Sequence, residues 1–134
     1  MFLFLSSSDS KLNSPFNEAS EFIIQLPQLI KLHGNWEIAL MEIHLPAQQV
    51  HDQILVMCNI CGYSYISNSS KPLLRKIEVQ KMKTSSHIFN KPFYLPVVVS
   101  EFNQIKINIS NDNFEKISFD EKSSVWCVLH LKEV

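Results

Sequence analysis

The stretch HGNWEIALMEIHLP, residues 33–46, contains an apolar run whose hydrophobic side chains occupy both alternating positions of an extended chain. Ile38 and Leu40 take even positions, whereas Ile43 and Leu45 take odd ones. The run follows a His-Gly-Asn turn sequence and ends at a proline, which cannot donate a hydrogen bond to a strand ladder. These flanks favour a strand over a helix. The pattern predicts a central strand covered on both of its faces.

Short strand-like segments recur along the chain, separated by connectors rich in Ser, Asn, Asp, Lys and Pro. The clearest has Ile105, Ile107 and Ile109 alternating with Lys106 and Asn108, which predicts a half-buried strand with one polar face. No long helical periodicity competes, so we expect less than about a tenth of the residues to be helical. The predicted strands are 2–5, 21–26, 36–45, 53–61, 73–81, 93–99, 104–109, 117–119 and 125–131. The predicted connectors are 6–15, 33–35, 67–72, 83–86, 110–113 and 120–124.

This strand spacing predicts an all-β protein, an antiparallel β-sandwich or barrel, with about eight strands if it is a jelly roll. The length of 134 residues suits a single domain spanning 1–134 with its own core. The large aromatic side chains, including Phe2, Phe4, Phe93 and Trp126, are interpreted as core anchors rather than a sugar-stacking platform. The predicted core residues are Phe22, Ile24, Trp36, Ile38, Leu40, Val56, Ile105, Ile107, Val125 and Leu129.

Composition excludes several functional classes. The chain is 46% hydrophobic and 19% charged with a formal net charge of -1, which argues against a disordered chain and against nucleic-acid binding through bulk charge. The chain has only two glycines, so it contains no glycine-rich phosphate loop, no dinucleotide-binding fingerprint and no G-x-S-x-G nucleophile elbow. No apolar run reaches the roughly 18 residues of a membrane span, and the opening MFLFL is too short for a secretory signal.

The cysteines allow a metal-site hypothesis. Cys58 and Cys61 form a C-x-x-C pair, and Cys127 with His130 repeats that spacing, so four zinc ligands are present in principle. However, residues three apart on a strand point to opposite faces, and the sequence around each cysteine is apolar and typical of a strand. We therefore expect all three cysteines to be reduced and metal-free, and we predict no cofactor.

The polar residues of the opening stretch do not form a catalytic pair. Glu37 and Glu42 are five positions apart, and this odd offset would place them on opposite faces of a regular strand. Two catalytic carboxylates must instead face each other across a cleft. We interpret both glutamates as solvated residues or as partners in salt bridges between subunits. No catalytic residue is predicted, and the five histidines lack metal-ligand spacing.

The order of the segments carries a resemblance to a known family. The chain reads LSSSDSKLNSPFNEASEFIIQLPQLIKLHGNWEIALMEIHLP, then ILVMCNI, PLLRKI, FYLPV, FNQIKINI and VLHLK. Across nearly its whole length this order resembles the minor capsid, or penton, protein of Polinton/Maverick elements and the related adintoviruses. The most specific motifs are Asn17, Leu26-Pro27, the block from Gly34-x-Trp36-Glu37 to Glu42-Ile43 with Pro46, Tyr94-x-Pro96-Val97, Phe102-x-x-Ile105 and Leu129-His130-Leu131.

The resemblance implies a single jelly roll that forms pentamers at the vertices of an icosahedral shell, beside a double jelly-roll major capsid protein. It implies a virion protein that assembles inside the host cell, in the cytoplasm or nucleus. It implies no catalysis, small-molecule substrate, specific nucleic acid or membrane partner. Phe2 and Phe4, from an unbroken apolar run on a strand that could not bury both faces alone, together with Glu37 and Glu42, are the predicted subunit-contact residues.

The chain departs from the family pattern in two places. Relatives carry a longer, partly helical segment where this chain passes from Pro46 to Gln53 in about six residues. The stretch NICGYSY follows Met57-Cys58 where an acidic residue and Glu-Pro are typical. The chain is consistent with an active viral gene, a degenerate or domesticated genomic copy, or an engineered truncation. A lectin-like or adhesion module and a small zinc-binding protein remain as alternative functions.

Overall fold

The computed structural model describes residues 1–8, 17–120 and 122–134. Parts of the predicted connectors 6–15 and 120–124 lie outside these ranges. The described residues contain no helix, and their strands are β1 (Phe2–Ser6), β2 (Glu21–Lys31), β3 (Trp36–Leu45), β4 (Gln53–Cys58), β5 (Ser64–Ile66), β6 (Ser69–Lys71), β7 (Leu73–Glu78), β8 (Ser85–Ile88), β9 (Leu95–Pro96), β10 (Glu101–Ser110) and β11 (Trp126–Glu133).

Nine of these strands form two antiparallel sheets. The front sheet has the order β1-β11-β3-β8, with the short strand β9 also pairing with β3, and the back sheet has the order β2-β10-β4-β7. The chain crosses repeatedly from one sheet to the other, and this strand order is that of a single jelly roll. The predicted fold class is therefore confirmed. Strands β5 and β6 form a separate two-stranded hairpin.

The core lies between the two sheets, and the period-2 pattern of the sequence identifies most of it. Ile105 and Ile107 of β10 are fully buried and face fully buried residues of β3 across the core, among them Ile38 and Leu40. Of the ten predicted core residues, Ile24 and Trp36 are exceptions, because both are only half-buried at the margin of the core. The indole N–H of Trp36 donates to the carbonyl of His33 at 2.9 Å, so the ring lies over the preceding turn.

A β-bulge explains the two-phase pattern of the opening stretch. Val128 of β11 pairs with Glu42, but the next residue, Leu129, pairs with Leu40, so Met41 is an extra residue in β3. A bulge shifts the alternation of a strand by one position. Before the bulge the even residues point inward, and after it the odd residues do. One inward-facing set therefore changes parity part-way along β3. The outer face of β3 is also covered in part, as predicted, since Ala39 is fully buried and Glu37, Glu42 and His44 are half-buried.

Several strand boundaries differ from the sequence prediction. Strand β8 lies in a region predicted as a connector, and the β5–β6 hairpin spans the predicted connector 67–72. The predicted strand 93–99 shrinks to Leu95–Pro96, and 117–119 is not a strand. Strand β2 runs on past Pro27, which is tolerated because β2 is an edge strand and its ladder with β10 is interrupted there.

Candidate interaction face

The outer surface of the front sheet, here called the front face, is the candidate functional site. The register of the sheet identifies its members, since residues paired across neighbouring strands point to the same side. Phe4 pairs with Val128, which pairs with Glu42, and Glu42 pairs with Ile88. The adjacent inward rows contain the buried residues of the core. The front face comprises Phe2, Phe4, Glu37, Ala39, Glu42, His44, Ser86, Ile88, Trp126, Val128, His130 and Lys132. Of these, Ala39 and Val128 are buried.

All four predicted contact residues lie on this one face. Phe2 and Phe4 lie on the edge strand β1, whereas Glu37 and Glu42 lie on the central strand β3. The sequence argument that the two glutamates point to opposite faces was wrong. The extra residue Met41 between them restores an even offset, so both carboxylates project outward.

The apolar run of β1 divides its side chains between the two faces. Leu5 is buried in the core, and Leu3 packs against it. Phe2 and Phe4 are 55% and 77% exposed, so their interpretation as core anchors was wrong. Large apolar side chains exposed side by side mark an interaction surface more often than a solvated one.

Phe2 is held in place by His130, which in turn contacts Tyr94. Its ring stacks on the His130 ring with 4.5 Å between centroids. The Nδ1 atom of His130 lies 2.8 Å from the Tyr94 hydroxyl, and the Lys132 ammonium lies 3.9 Å from the centroid of the Tyr94 ring. Burial lowers the pKa of His130, and the neighbouring N-terminal amine and Lys132 lower it further. His130 is therefore neutral at pH 7, and the face of its ring supports the Phe2 ring.

A second stack lies at the other end of the front face. The rings of His44 and Trp126 are nearly parallel, with centroids 5.8 Å apart. His44 Nδ1 also contacts the Ser86 hydroxyl at 2.9 Å, which ties β3 to β8. Trp126 is exposed at its outer surface, so it is not a core anchor. The two stacks fix the rotamers of aromatic side chains before any partner binds, which lowers the ordering cost of association.

The opposite flank of the sandwich also exposes apolar side chains. Strand β8 ends in Ile88, which is 70% exposed, and Phe93, on the segment that follows, is 61% exposed. The Arg75 guanidinium of β7 lies 3.9 Å from the centroid of the Phe89 ring and 4.2 Å from that of the Phe93 ring. We call this region, Arg75, Ile88, Phe89 and Phe93, the β8 flank, and the edge strand β1 with Phe2 and Phe4 the β1 flank.

The outer edge of β1 is not paired with any strand of the described residues. Natural edge strands are usually blunted by lysine, proline or a bulge. Strand β1 reads FLFLS, pairs with β11 over all five residues without a register shift, and pairs with no described strand on its other side. A flat apolar edge of this kind is a template for contact with another chain.

The four potential zinc ligands are not brought together. Cys58, Cys61 and Cys127 are free thiols buried in the core, whereas His130 projects from the opposite face of β11. The prediction that Cys58 and Cys61 point to opposite faces of one strand was wrong, because β4 ends at Cys58 and the chain turns before Cys61, which is also in the core. Burial raises the pKa of Cys58 and Cys127 to about 12 and that of Cys61 to about 11, so all three are protonated thiols near neutral pH. Within the described residues no three His, Cys, Asp or Glu side chains form a metal-binding group.

Two serine–histidine contacts form in and around β8. His44 contacts Ser86, and His87 Nε2 lies 3.0 Å from the Ser85 hydroxyl. In the described part of the chain neither histidine has a hydrogen bond to a carboxylate that would orient it as a general base. Burial lowers the pKa of His87. The His44–Ser86 contact joins β3 to β8, and the His87–Ser85 contact lies within β8. Among the described residues, neither contact includes the third member of a catalytic triad.

Sequence analysis identified Phe2, Phe4, Glu37 and Glu42 but missed Trp126, Ile88 and Phe93. Ile88 was overlooked because it directly follows a polar Ser-Ser-His segment that was not recognised as a strand. The signal for Trp126 was available, since its position is one residue out of phase with the buried Val125 and Cys127.

The chain has no match among known protein-family models or curated protein sequences. The described residues also include no helix long and apolar enough to cross a membrane.

Proposed function

We propose that this chain is a structural minor capsid protein, a penton subunit of a Polinton-like virus or of an endogenised or domesticated copy. The jelly-roll topology supports the proposal, because this fold is a recurrent building block of viral capsids. A fold alone does not specify function, since lectins and cupins share it. The resemblance in segment order and the surface chemistry supply the further support.

The observation that carries the proposal is the presence of exposed apolar side chains on opposite flanks. Phe2 and Phe4 lie on the β1 flank, and Ile88 and Phe93 lie on the β8 flank, at the two ends of the front sheet. A cyclic ring is built by heterologous contacts, in which one surface of each subunit meets a different surface of the next. The two flanks provide such a pair of surfaces.

In the proposed ring the β1 flank of one subunit packs against the β8 flank of its neighbour. Phe2 and Phe4 then lose contact with water against Ile88 and Phe93 of the next subunit. Glu42, which lies beside Ile88 in the sheet, is at the margin of this contact, where a carboxylate can bind a neighbouring cation or remain solvated. The head-to-tail mode is argued from the flanks, whereas the five-fold symmetry is taken from the resemblance.

The wider role follows from the same proposal. Pentamers would occupy the vertices of the virion capsid, assemble inside the host cell and contact a double jelly-roll major capsid protein. Glu37 is part of the front face but is distant along β3 from the β8 pairing, so it suits a contact with that second protein better than the ring contact. No substrate, cofactor or membrane contact is required for this role.

Light scattering or native mass spectrometry of the purified protein tests the proposal. A penton subunit gives a defined species of five times the 15.5 kDa chain mass. Its population should grow with protein concentration. Replacing Ile88 by Ser should weaken the ring to a similar extent as replacing Phe4 by Ser, because the two residues lie on the two sides of one proposed contact.

A matched control is Tyr65→Ser, which removes an exposed aromatic ring from the β5–β6 hairpin, away from both flanks. This variant should assemble like the wild type. A protein that stays monomeric at every accessible concentration, or that forms a closed species with a subunit number other than five, contradicts the vertex role.

The structure affects the two alternative functions, zinc binding and lectin-like binding, in different ways. The zinc-binding hypothesis loses its geometric basis, because His130 and the three thiols lie on different sides of the front sheet. The lectin-like hypothesis is favoured by one observation, a groove lined by aromatic and amide side chains on the back sheet.

A further inference from the structure

A groove of about 470 Å³ lies on the outer surface of the back sheet. This volume is within the range of about 300–1,000 Å³ that is typical of small-molecule sites. Its floor includes Asn108 of β10, which pairs with Glu21 and Met57 and points away from the core. Its walls include residues of the β5–β6 hairpin and of the loop 111–116. We call it the back groove and define it by Glu21, Asn59, Tyr63, Lys71, Asn108 and Phe114.

Phe114 is placed in the back groove at a cost in backbone energy. Its φ angle is +63°, in the left-handed region, which costs a non-glycine residue roughly 1–2 kcal/mol. Asn111 maintains this conformation, since its Oδ1 accepts hydrogen bonds from the backbone N–H groups of Asn113 at 2.9 Å and Glu115 at 3.0 Å. The Phe114 N–H itself donates to the Asn111 carbonyl. The loop thus presents a phenyl ring to the groove in a fixed orientation.

Among the described residues, the back groove has one positive charge without an ion pair. Glu21 forms a salt bridge with Lys106 at 2.9 Å, and Lys116 forms one with Glu18 at 2.7 Å, so these charges are balanced in pairs. Lys71 has no ion pair among the described residues. Its ammonium lies 4.8 Å from the centroid of the Phe114 ring, a contact that leaves its N–H donors available to a ligand.

Two amides in the groove offer further hydrogen bonds. Asn59 Oδ1 accepts a hydrogen bond from the backbone N–H of Lys106 at 2.9 Å, which orients the amide. The Nδ2 group of Asn59 and the side chain of Asn108 have no hydrogen-bond partner in the described part of the structure, and both residues line the groove. Tyr63 adds an exposed aromatic ring and a hydroxyl group beside them.

We propose that the back groove binds a saccharide that carries a carboxylate, of the sialic-acid or uronic-acid class. Lys71 binds the carboxylate, Asn59 and Asn108 hydrogen-bond to hydroxyl groups, and Tyr63 packs against the apolar face of the sugar ring. A saccharide combines these features, because its C–H face is apolar while its rim is polar. The site requires no partner on the front face, so it is independent of ring assembly.

An acidic peptide fits the groove less well. Peptides commonly gain affinity by adding a strand to an exposed sheet edge. The groove floor instead lies on the central strands β10 and β4, whose backbone groups are already paired on both sides. A peptide would therefore be held by side-chain contacts alone.

The test is a titration of the isotope-labelled protein, monitored by NMR chemical shifts, with 3′-sialyllactose and, in parallel, lactose. The two probes differ by the carboxylated sugar. We expect 3′-sialyllactose to shift the resonances of Asn59, Lys71 and Asn108 with a Kd on the order of 1 mM, and lactose to shift them at least about tenfold more weakly. Sodium acetate and tri-glutamate serve as further probes.

Two variants and one control locate the site. Lys71→Ala should weaken binding of 3′-sialyllactose by about tenfold or more. Phe114→Gly removes the ring at a position where glycine is unstrained, so the fold is retained while binding weakens. Lys132→Ala is the matched control, because its ammonium also lies over an aromatic ring, that of Tyr94, but on the front face. It should leave binding unchanged.

Several outcomes would overturn the proposal. Equal shifts with lactose would show that the carboxylate is not recognised, and equal shifts with acetate would show a bare anion site. Tighter binding of tri-glutamate would identify a peptide site. The absence of any shift with 3′-sialyllactose in the wild type would remove the saccharide site altogether, whatever the behaviour of the variants.

Discussion

Replacing Phe4 by Ser provides the sharpest test of the assembly argument, since this side chain is 77% exposed in the monomer. A phenylalanine presents roughly 200 Å² of surface, so about 150 Å² of Phe4 is available for burial in a contact. At about 25 cal/mol per Å² its complete burial is worth up to roughly 4 kcal/mol. Incomplete burial and side-chain ordering reduce this, and we expect about 2 kcal/mol per contact, or roughly 30-fold in the dissociation constant.

The same substitution should barely affect the folded monomer. Phe4 contributes little to the core, because its inward-facing neighbours Leu3 and Leu5 supply the packing of β1. We expect the free energy of unfolding to fall by less than about 1 kcal/mol, as is usual for exposed positions. Light scattering over a dilution series measures assembly, and urea unfolding under conditions where the protein is monomeric measures stability.

The double variant Phe2→Ser with Phe4→Ser should lose more assembly than either single change, while Tyr65→Ser should lose none. Phe2 stacks on His130, so its removal also frees that ring and disturbs the support beneath the contact. The reasoning is refuted if the double variant retains the full oligomer at low concentration. It is equally refuted if the variant unfolds the monomer as much as it weakens assembly.

Three further predictions concern stability and chemistry. Phe22→Ala should cost about 3–5 kcal/mol in urea unfolding, because Phe22 is fully buried, whereas Trp36→Ala should cost about 2 kcal/mol, since its ring is half-buried; equal losses would contradict the burial argument. Gly34→Ala should destabilise by about 1 kcal/mol, because φ at Gly34 is +82° and the added Cβ would lie 3.4 Å from Glu133 Oε1; an unchanged urea midpoint would argue against this turn. The three buried thiols should resist a thiol reagent at pH 8 until the protein is unfolded. Because burial raises their pKa values to about 11 or 12, the unfolded chain loses these protons first, so stability should fall as pH rises above about 9; fast labelling of the native protein would show that the thiols are accessible.

Much of the core could be predicted from the sequence because it depends on local alternation. Ile105, Ile107 and Ile109 have a period of two, and all three are buried as predicted. The antiparallel sandwich followed from the number and spacing of such segments. The prediction for Trp36 failed, because a residue in the correct phase at the end of a strand can lie beyond the facing sheet.

Strand β8 was not predictable from its own residues. Its sequence, Ser-Ser-His-Ile, has low strand propensity, and it is extended because its backbone completes the ladder of β3. The aromatic side chains of the front face were missed for a related reason. The local sequence does not specify which of the two alternating sets of side chains packs against the opposing sheet and which remains exposed.

The sequence by itself determined the all-β class and most of the buried alternating positions, because these depend on the polarity of residues two apart. Only the tertiary structure decided the strand order, the bulge at Met41 and the surfaces that result from them. The bulge is defined by the register between β3 and β11, two strands far apart in the chain. That register places Glu37 and Glu42 on one face, and the strand order places Phe4 and Ile88 at opposite flanks. Such relations arise from hydrogen bonds between distant segments, which local side-chain periodicity does not encode.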